Sequence, residues 1–253
     1  MKKILIIILS LLFVNTSFSQ IKNYRDVFKY KTPWMYSAGI STHSVLFDHP
    51  ARNTINFDNE DDYISGGSFD GAQVALDFRI TYIPEKLENY YFALGLEYAS
   101  MTSKEQYTIS SSSVVNYRND QNLLTPYLGA YYKVFRIPLA NTNIYLGPEV
   151  RFNFINNSNF KSEFQNILDR NKTTILDKSL KDDAFRLGGA FRIGAEGEID
   201  KEFGINISAA LNLVNLLGRD DAYGELLTSG LVQEKTEISL FTLVYNISIF
   251  YRL

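Results

Sequence analysis

Ala72-Gln73-Val74-Ala75-Leu76-Asp77-Phe78-Arg79-Ile80-Thr81-Tyr82 is the stretch whose reading decides the fold. Ala72, Val74, Leu76, Phe78, Ile80 and Tyr82 fall on one side. Gln73, Ala75, Asp77, Arg79 and Thr81 fall on the other. A period of two over this length is the signature of a β-strand with one apolar and one polar face. The same beat recurs along the chain. Phe92 to Tyr98, Leu128 to Val134, Ile144 to Phe154, Phe185 to Ala195, Ile205 to Leu213 and Phe241 to Leu253 each alternate in this way, and Trp34 to Ile40 does so more weakly.

That makes eight strands, an even number, with unequal connections. The links at 85–89, 137–143 and 200–202 are short. Those at 47–70, 102–122, 156–183 and 216–237 are long. Short and long alternate, so an up-and-down meander gathers every long link at one end. Structureless loops beyond about 12–15 residues are uncommon in compact soluble domains. Long loops on one rim and tight turns on the other are the layout of a membrane-spanning barrel. The expected fold is all-β: an eight-stranded antiparallel up-and-down transmembrane β-barrel over 34–253, with four long extracellular loops and three short periplasmic turns.

A closed sheet can hold its apolar face inside or turn it to lipid. Three features select lipid. The polar face is rich in small residues, among them Gly39, Ala75, Ala93, Gly95, Gly129, Gly147, Gly188, Ala190, Gly194, Gly204 and Ala210. A crowded eight-stranded lumen needs them, and a face turned to bulk water does not. That face also carries both signs of charge: Asp77, Glu97, Glu149, Glu196 and Glu198 against Arg79, Lys133, Arg151, Arg186, Arg192 and Arg252. Buried charges must be paired, so these are expected to form a lumen network. Finally, Trp34, Tyr36, Tyr82, Tyr90, Tyr98, Tyr132 and Tyr251 lie near strand ends on the apolar face, where aromatic girdles belong.

Composition agrees by exclusion. The chain has 253 residues, no cysteine, two histidines and a formal net charge of −3. Thiolate metal sites and disulfide frameworks are excluded, and a nucleic-acid footprint is not expected. Met1-Lys2-Lys3, an apolar run from Ile4 to Val14 and small residues at Ser17 and Ser19 read as a secretory signal peptide over 1–19. A run of eleven residues is too short to span a bilayer as a helix. Residues 20–33 are then a short periplasmic lead.

On these residues the chain resembles the OmpA/OmpX-type outer-membrane barrels and, within them, the small PorT-like barrel domains of Gram-negative bacteria. The segment Leu124-Thr125-Pro126-Tyr127-Leu128-Gly129 looks like a common strand of that family. The resemblance implies a C-terminal signal read by the barrel-assembly machinery. Asn246 matches its polar position and Tyr251 its penultimate aromatic, while Ser248 replaces a glycine and Leu253 the usual terminal aromatic. It also implies an outer-membrane location, with outer-leaflet lipid as surroundings. Fold does not fix function.

Candidate chemistry is sparse. His43, with Ser41 and Ser44 close by, reads as a rim histidine rather than a catalytic base. Asp58-Asn59-Glu60-Asp61-Asp62 holds carboxylates of the Ca²⁺-binding type, but Tyr63 stands where an EF-hand turn needs glycine. The run reads as a solvated loop tip. Phe160, Phe164, Ile167 and Leu168 at helical spacing, after Ser158 as N-cap, suggest a short amphipathic helix within 158–179. Ser110 to Ser113 reads as a flexible run. No catalytic, cofactor or metal residue is assigned. The expected role is structural or recognition, carried by the external loops toward an envelope or extracellular protein (adhesion, envelope integrity, or an accessory subunit of a secretion or assembly complex), with a charge-plugged lumen. An outer-membrane lipid hydrolase or deacylase and a narrow channel are the alternatives.

Overall fold

The computed structural model describes residues 33–58, 63–87, 89–168, 171–179, 184–200, 202–221, 226–228 and 237–252. The signal peptide, nearly all of the lead, the acidic positions 59–62 and Leu253 lie outside the described residues. In chain order the strands are β1 (Trp34–Val45), β2 (Asn56–Asp58), β3 (Tyr63–Ser65), β4 (Gln73–Tyr82), β5 (Tyr90–Ser110), β6 (Ser113–Ile137), β7 (Thr142–Asn166), β8 (Lys172–Ser179), β9 (Ala184–Glu198), β10 (Phe203–Leu217) and β11 (Phe241–Arg252).

Eight of them close a ring in the order β1-β4-β5-β6-β7-β9-β10-β11, every neighbour antiparallel. Closure is made by β1 against β11, from Met35 opposite Arg252 to Val45 opposite Thr242. A closed ring leaves no unpaired edge in the wall. Both ends of the barrel chain and the three tight turns lie at one mouth. At the turn between β6 and β7, Ala140 and Asn141 have φ of 50° and 49°, the left-handed pair that a type I′ hairpin turn requires.

The apolar face points outward. Leu76 and Ile247 are 49% and 55% exposed, while their neighbours Asp77 and Ser248 are 2% and 3% exposed. The alternation holds around the ring, so the outer wall is a continuous apolar band and the inside is polar.

Two long links are strands, not loops. Positions 102–122 extend β5 and β6 into a hairpin that turns between Ser110 and Ser113, so the serine run is a hairpin turn. Positions 156–183 contain no helix among the described residues: β7 continues to Asn166 and β8 returns along it. Ser158, Phe160 and Ser162 are all buried, which is a period of two. Phe160 and Phe164 lie four residues apart, a spacing that a strand face and a helix face share, and the buried serines on either side of Phe160 decide for the strand. The result is a four-stranded sheet, β5-β6-β7-β8, standing above the barrel on its long-link side. Its inner face packs Val115, Tyr117 and Phe160 with Ile55 from the first long link.

Candidate functional site

The lumen is filled by complementary walls. On β1, β10 and β11 the inward positions of the middle layer are small or amide-bearing: Ser37, Gly39, Ser41, Asn206, Ser208, Asn246 and Ser248. On β5, β6, β7 and β9 they include Tyr91, Glu97, Tyr127, Tyr131, Tyr145, Glu149, Arg151 and Arg192. Some aromatic rings lie flat over glycines of the adjacent strand. Tyr127 of β6 lies over Gly95 of β5, Tyr145 of β7 over Gly194 of β9, and Phe250 of β11 over Gly204 of β10. A Cβ at any of these glycines would enter the ring above it.

The charged residues singled out in the sequence fall into three groups. In the centre, Arg151 bridges Glu97 and Glu149, the latter at 3.0 Å, and Arg192 binds the other side of Glu149. Arg192 also donates to Ser208 at 2.9 Å, and the Tyr131 hydroxyl donates to Glu149 at 2.7 Å. Both guanidinium groups lie over the Tyr127 ring, at 5.2 and 5.7 Å, and Tyr127 donates to Asp77 at 3.0 Å. Arg79 donates to the Tyr145 hydroxyl at 3.3 Å. At the short-turn mouth, Arg252 binds Glu196 and, at 3.0 Å, Glu198, while Lys133 sits 4.5 Å over the Tyr91 ring. At the opposite mouth, Arg186 stands apart from the centre and binds Glu237 at 2.7 Å and Asp220 at 2.8 Å. The central tyrosines and Asn206 were not singled out from sequence. Their signal was present, because each occupies a polar-face position.

His43 is 1% exposed, with Nε2 2.9 Å from Glu97. Ser41 donates to the same carboxylate at 2.9 Å. Glu97 therefore holds both groups, and no nucleophile–base pair forms between Ser41 and His43. The aromatic residues Trp34, Tyr36, Tyr82, Tyr90, Tyr132 and Tyr251 face outward at the short-turn end, with Trp34–Tyr82 and Tyr90–Tyr132 ring centroids 4.8 and 5.3 Å apart. Tyr98 faces outward toward the other end, opposite Leu76 and Leu124. Asn246 and Ser248 face the lumen, whereas Tyr251 faces outward.

The long-link mouth is sealed by an apolar cap. Ala51 and Phe69 from the first link and Leu226, Leu227 and Leu240 from the fourth pack on Val45, Met101, Leu123, Ile155 and Val214. His49 lies in this cap. Its Nδ1 accepts from the Ala51 N–H at 3.0 Å, and burial pushes its pKa down to about 4, opposed by the charge of Glu237. A histidine kept neutral when folded stabilises fully above its ordinary value near 6.5, and the contribution is lost as pH falls from there toward 4. At most about 3 kcal/mol of local stability is at stake. Backbone amides at 49–55 should therefore exchange faster at pH 5 than at pH 7 after correction for intrinsic rates, and a His49→Gln variant should flatten that dependence. A flat profile in the unmodified chain would remove His49 as the cause.

The remaining feature is an edge. Among the described residues β8, Lys172–Ser179, pairs with β7 alone. Ile175 sits at a bulge in this strand and is 60% exposed.

No family model and no curated protein sequence matches the chain. Among solved structures it is similar to Neisserial surface protein A, with 9% identity, 88% of this chain and 98% of that one covered, and a TM-score of 0.45. It is similar to OprG from Pseudomonas aeruginosa at 13% identity, coverage 89% and 98%, TM-score 0.42. The outer-membrane protease OmpT from Escherichia coli gives 9% identity, coverage 90% and 99%, TM-score 0.39.

Proposed function

We propose that the chain is a Gram-negative outer-membrane barrel whose work is recognition by its extracellular sheet, with a lumen that serves as a scaffold and not as a conduit. The observation that carries this reading is the inverted polarity of the wall. An apolar band encircling the whole molecule far exceeds the few hundred Å² that a soluble monomer leaves exposed. Its height also fits. On β11 the outward positions run from Phe241 to Tyr251. Ten residue steps are about 33 Å along the strand, or about 25 Å at a barrel tilt near 40°, which is the height of an outer-membrane apolar band. Export follows from cleavage of the signal peptide at 1–19. The barrel-assembly machinery is the folding partner, reading Asn246, Ser248, Tyr251 and Leu253.

Recognition is assigned to β8, the last strand of the sheet among the described residues, because a sheet edge pairs with extended chain. The partner is an envelope or extracellular protein that offers one strand. Two fractionation results test the whole reading. The chain should stay in the outer-membrane pellet after carbonate extraction, and its appearance in the aqueous extract would overturn the membrane assignment. A stoichiometric companion should co-purify in mild detergent and be lost from an Ile175→Lys variant, since a charge on the edge blocks pairing. Purification of the unmodified chain alone would sink the recognition role.

A further inference from the structure

The wall is not uniform. The β5–β6 ladder runs unbroken from Tyr90 opposite Tyr132 to Thr108 opposite Val114, and the β7–β9 ladder from Asn143 opposite Glu196 to Ile155 opposite Ala184. The β6–β7 ladder between them is interrupted repeatedly. It shifts between Asp120 and Asn122 and between Lys133 and Phe135. It also skips the positions between Leu124 and Tyr127 and between Gly129 and Tyr132.

The two skipped stretches have one cause. The register is constant across both, so Pro126 of β6 faces Phe152 of β7, and Pro148 of β7 faces Ala130 of β6. Proline has no N–H to donate. The ladders on the far sides pass through both prolines, with Leu96 opposite Pro126 and Phe191 opposite Pro148. Both missing donors therefore belong to one seam, and the Phe152 and Ala130 carbonyls lose their ladder partners there. Side chains on the lumen face bridge the gaps instead. Thr125 Oγ1 of β6 donates to Asn153 Oδ1 of β7 at 2.9 Å, beside the first gap. The Tyr131 hydroxyl of β6 donates to Glu149 Oε1 of β7 at 2.7 Å, beside the second.

We propose that β6–β7 is a latched seam, the line along which the barrel wall opens, held shut by the Thr125–Asn153 and Tyr131–Glu149 hydrogen bonds where the backbone cannot hold it. The same two strands continue upward as the central pair of the extracellular sheet. A load on that sheet is delivered to this seam. The inference deepens the recognition reading, because it names the element of the wall that yields when the sheet is engaged.

Hydrogen exchange of the full chain in lipid vesicles tests it. In the unmodified protein, amides at 123–132 and 146–154 should exchange at least tenfold faster than those at 204–213 and 244–250. A Thr125→Val/Tyr131→Phe variant removes the latches and should widen that gap by a further factor of about ten, as expected for two ordinary hydrogen bonds. A Pro126→Ala/Pro148→Ala variant restores both backbone donors and should narrow it by a similar factor, which keeps the test decisive if the latch variant fails to fold. Equal protection of the two regions in the unmodified chain, or proline variants that leave the seam unchanged, would overturn the proposal. Repeating the measurement in detergent separates the two readings: a chain that never enters vesicles but shows the same contrast in detergent keeps the seam and loses the membrane assignment.

Discussion

Replacing Arg151 with Ala is expected to cost about 3–5 kcal/mol, the usual penalty for removing one partner of a buried ion pair. Arg151 is fully buried and binds two carboxylates, Glu97 and Glu149. Glu149 keeps Arg192 after the change, but Glu97 keeps only His43 and Ser41 among its described polar contacts. A stranded carboxylate in a water-poor lumen is the source of the loss. The Coulombic attraction itself is largely offset by desolvation, so the pair is worth far less than its breakage costs. Two comparisons isolate the cause. Arg118→Ala, in an exposed pair with Asp120 at 2.5 Å, should shift stability by no more than about 1 kcal/mol. Arg151→Met combined with Glu97→Gln should recover most of the loss, because the unpaired charge is gone. Urea unfolding of the refolded barrel in vesicles measures all three. A single Arg151→Ala loss below that of Arg118→Ala would show that the network carries no stability.

The fold was legible because the wall is written in period two and the inward face is written in small residues. Gly95, Gly129, Gly194 and Gly204 have no use on a solvated face, and each now lies under an aromatic ring. Tyr127 and Tyr145 were legible as polar-face residues but not as the partners of Gly95 and Gly194, which they oppose in register. Register follows once the strands are in place, so this pairing emerged only with the ladder. The sheet above the barrel was missed for a different reason. Above the apolar band the outward positions of β5 and β6 become Lys104, Gln106, Asn116 and Arg118, while the inward ones become Glu105, Tyr107, Tyr117 and Asn119. Alternation of polarity fades when both faces meet water or other polar groups, although β-propensity remains in Tyr107-Thr108-Ile109 and Val114-Val115. The cap was illegible because Phe69 and Leu227 meet only through the tertiary fold of two links far apart in sequence.

The three clusters of charge also say something about order along the barrel. Arg252 with Glu196 and Glu198 closes the short-turn mouth, the Arg151–Glu149–Arg192 group fills the centre, and Arg186 with Glu237 ties the fourth link to β9 at the far mouth. Each cluster joins segments distant in sequence. A displaced register of β7, β9 or β11 would leave at least one of these charges unpaired, so the lumen helps to specify register from inside while the apolar band specifies orientation from outside.

Gly95→Val should be the most damaging single substitution on β5, and the reason is geometric. A Cβ on Gly95 falls within the Tyr127 ring, contacting Cζ, Cε1 and the hydroxyl. The ring must leave, and with it go the hydrogen bond to Asp77 at 3.0 Å and the surface on which Arg151 and Arg192 lie. Overpacking alone costs about 1–3 kcal/mol. The lost hydrogen bond to a charged acceptor adds about 1.5–3 kcal/mol. The smaller change Gly95→Ala should show the coupling most clearly. In a double-mutant cycle with Tyr127→Ala, the second substitution should cost less in the Gly95→Ala background than alone, by about 1–3 kcal/mol, since the ring has already been displaced. Gly71→Ala is the control, because a Cβ there meets nothing within 4 Å. Gly189→Ala is a second, with its nearest atom at 3.6 Å on the outward face. If Gly95→Ala behaves like these two, the lumen is loose enough to absorb a methyl group. The filled cross-section on which the scaffold reading depends would then be lost.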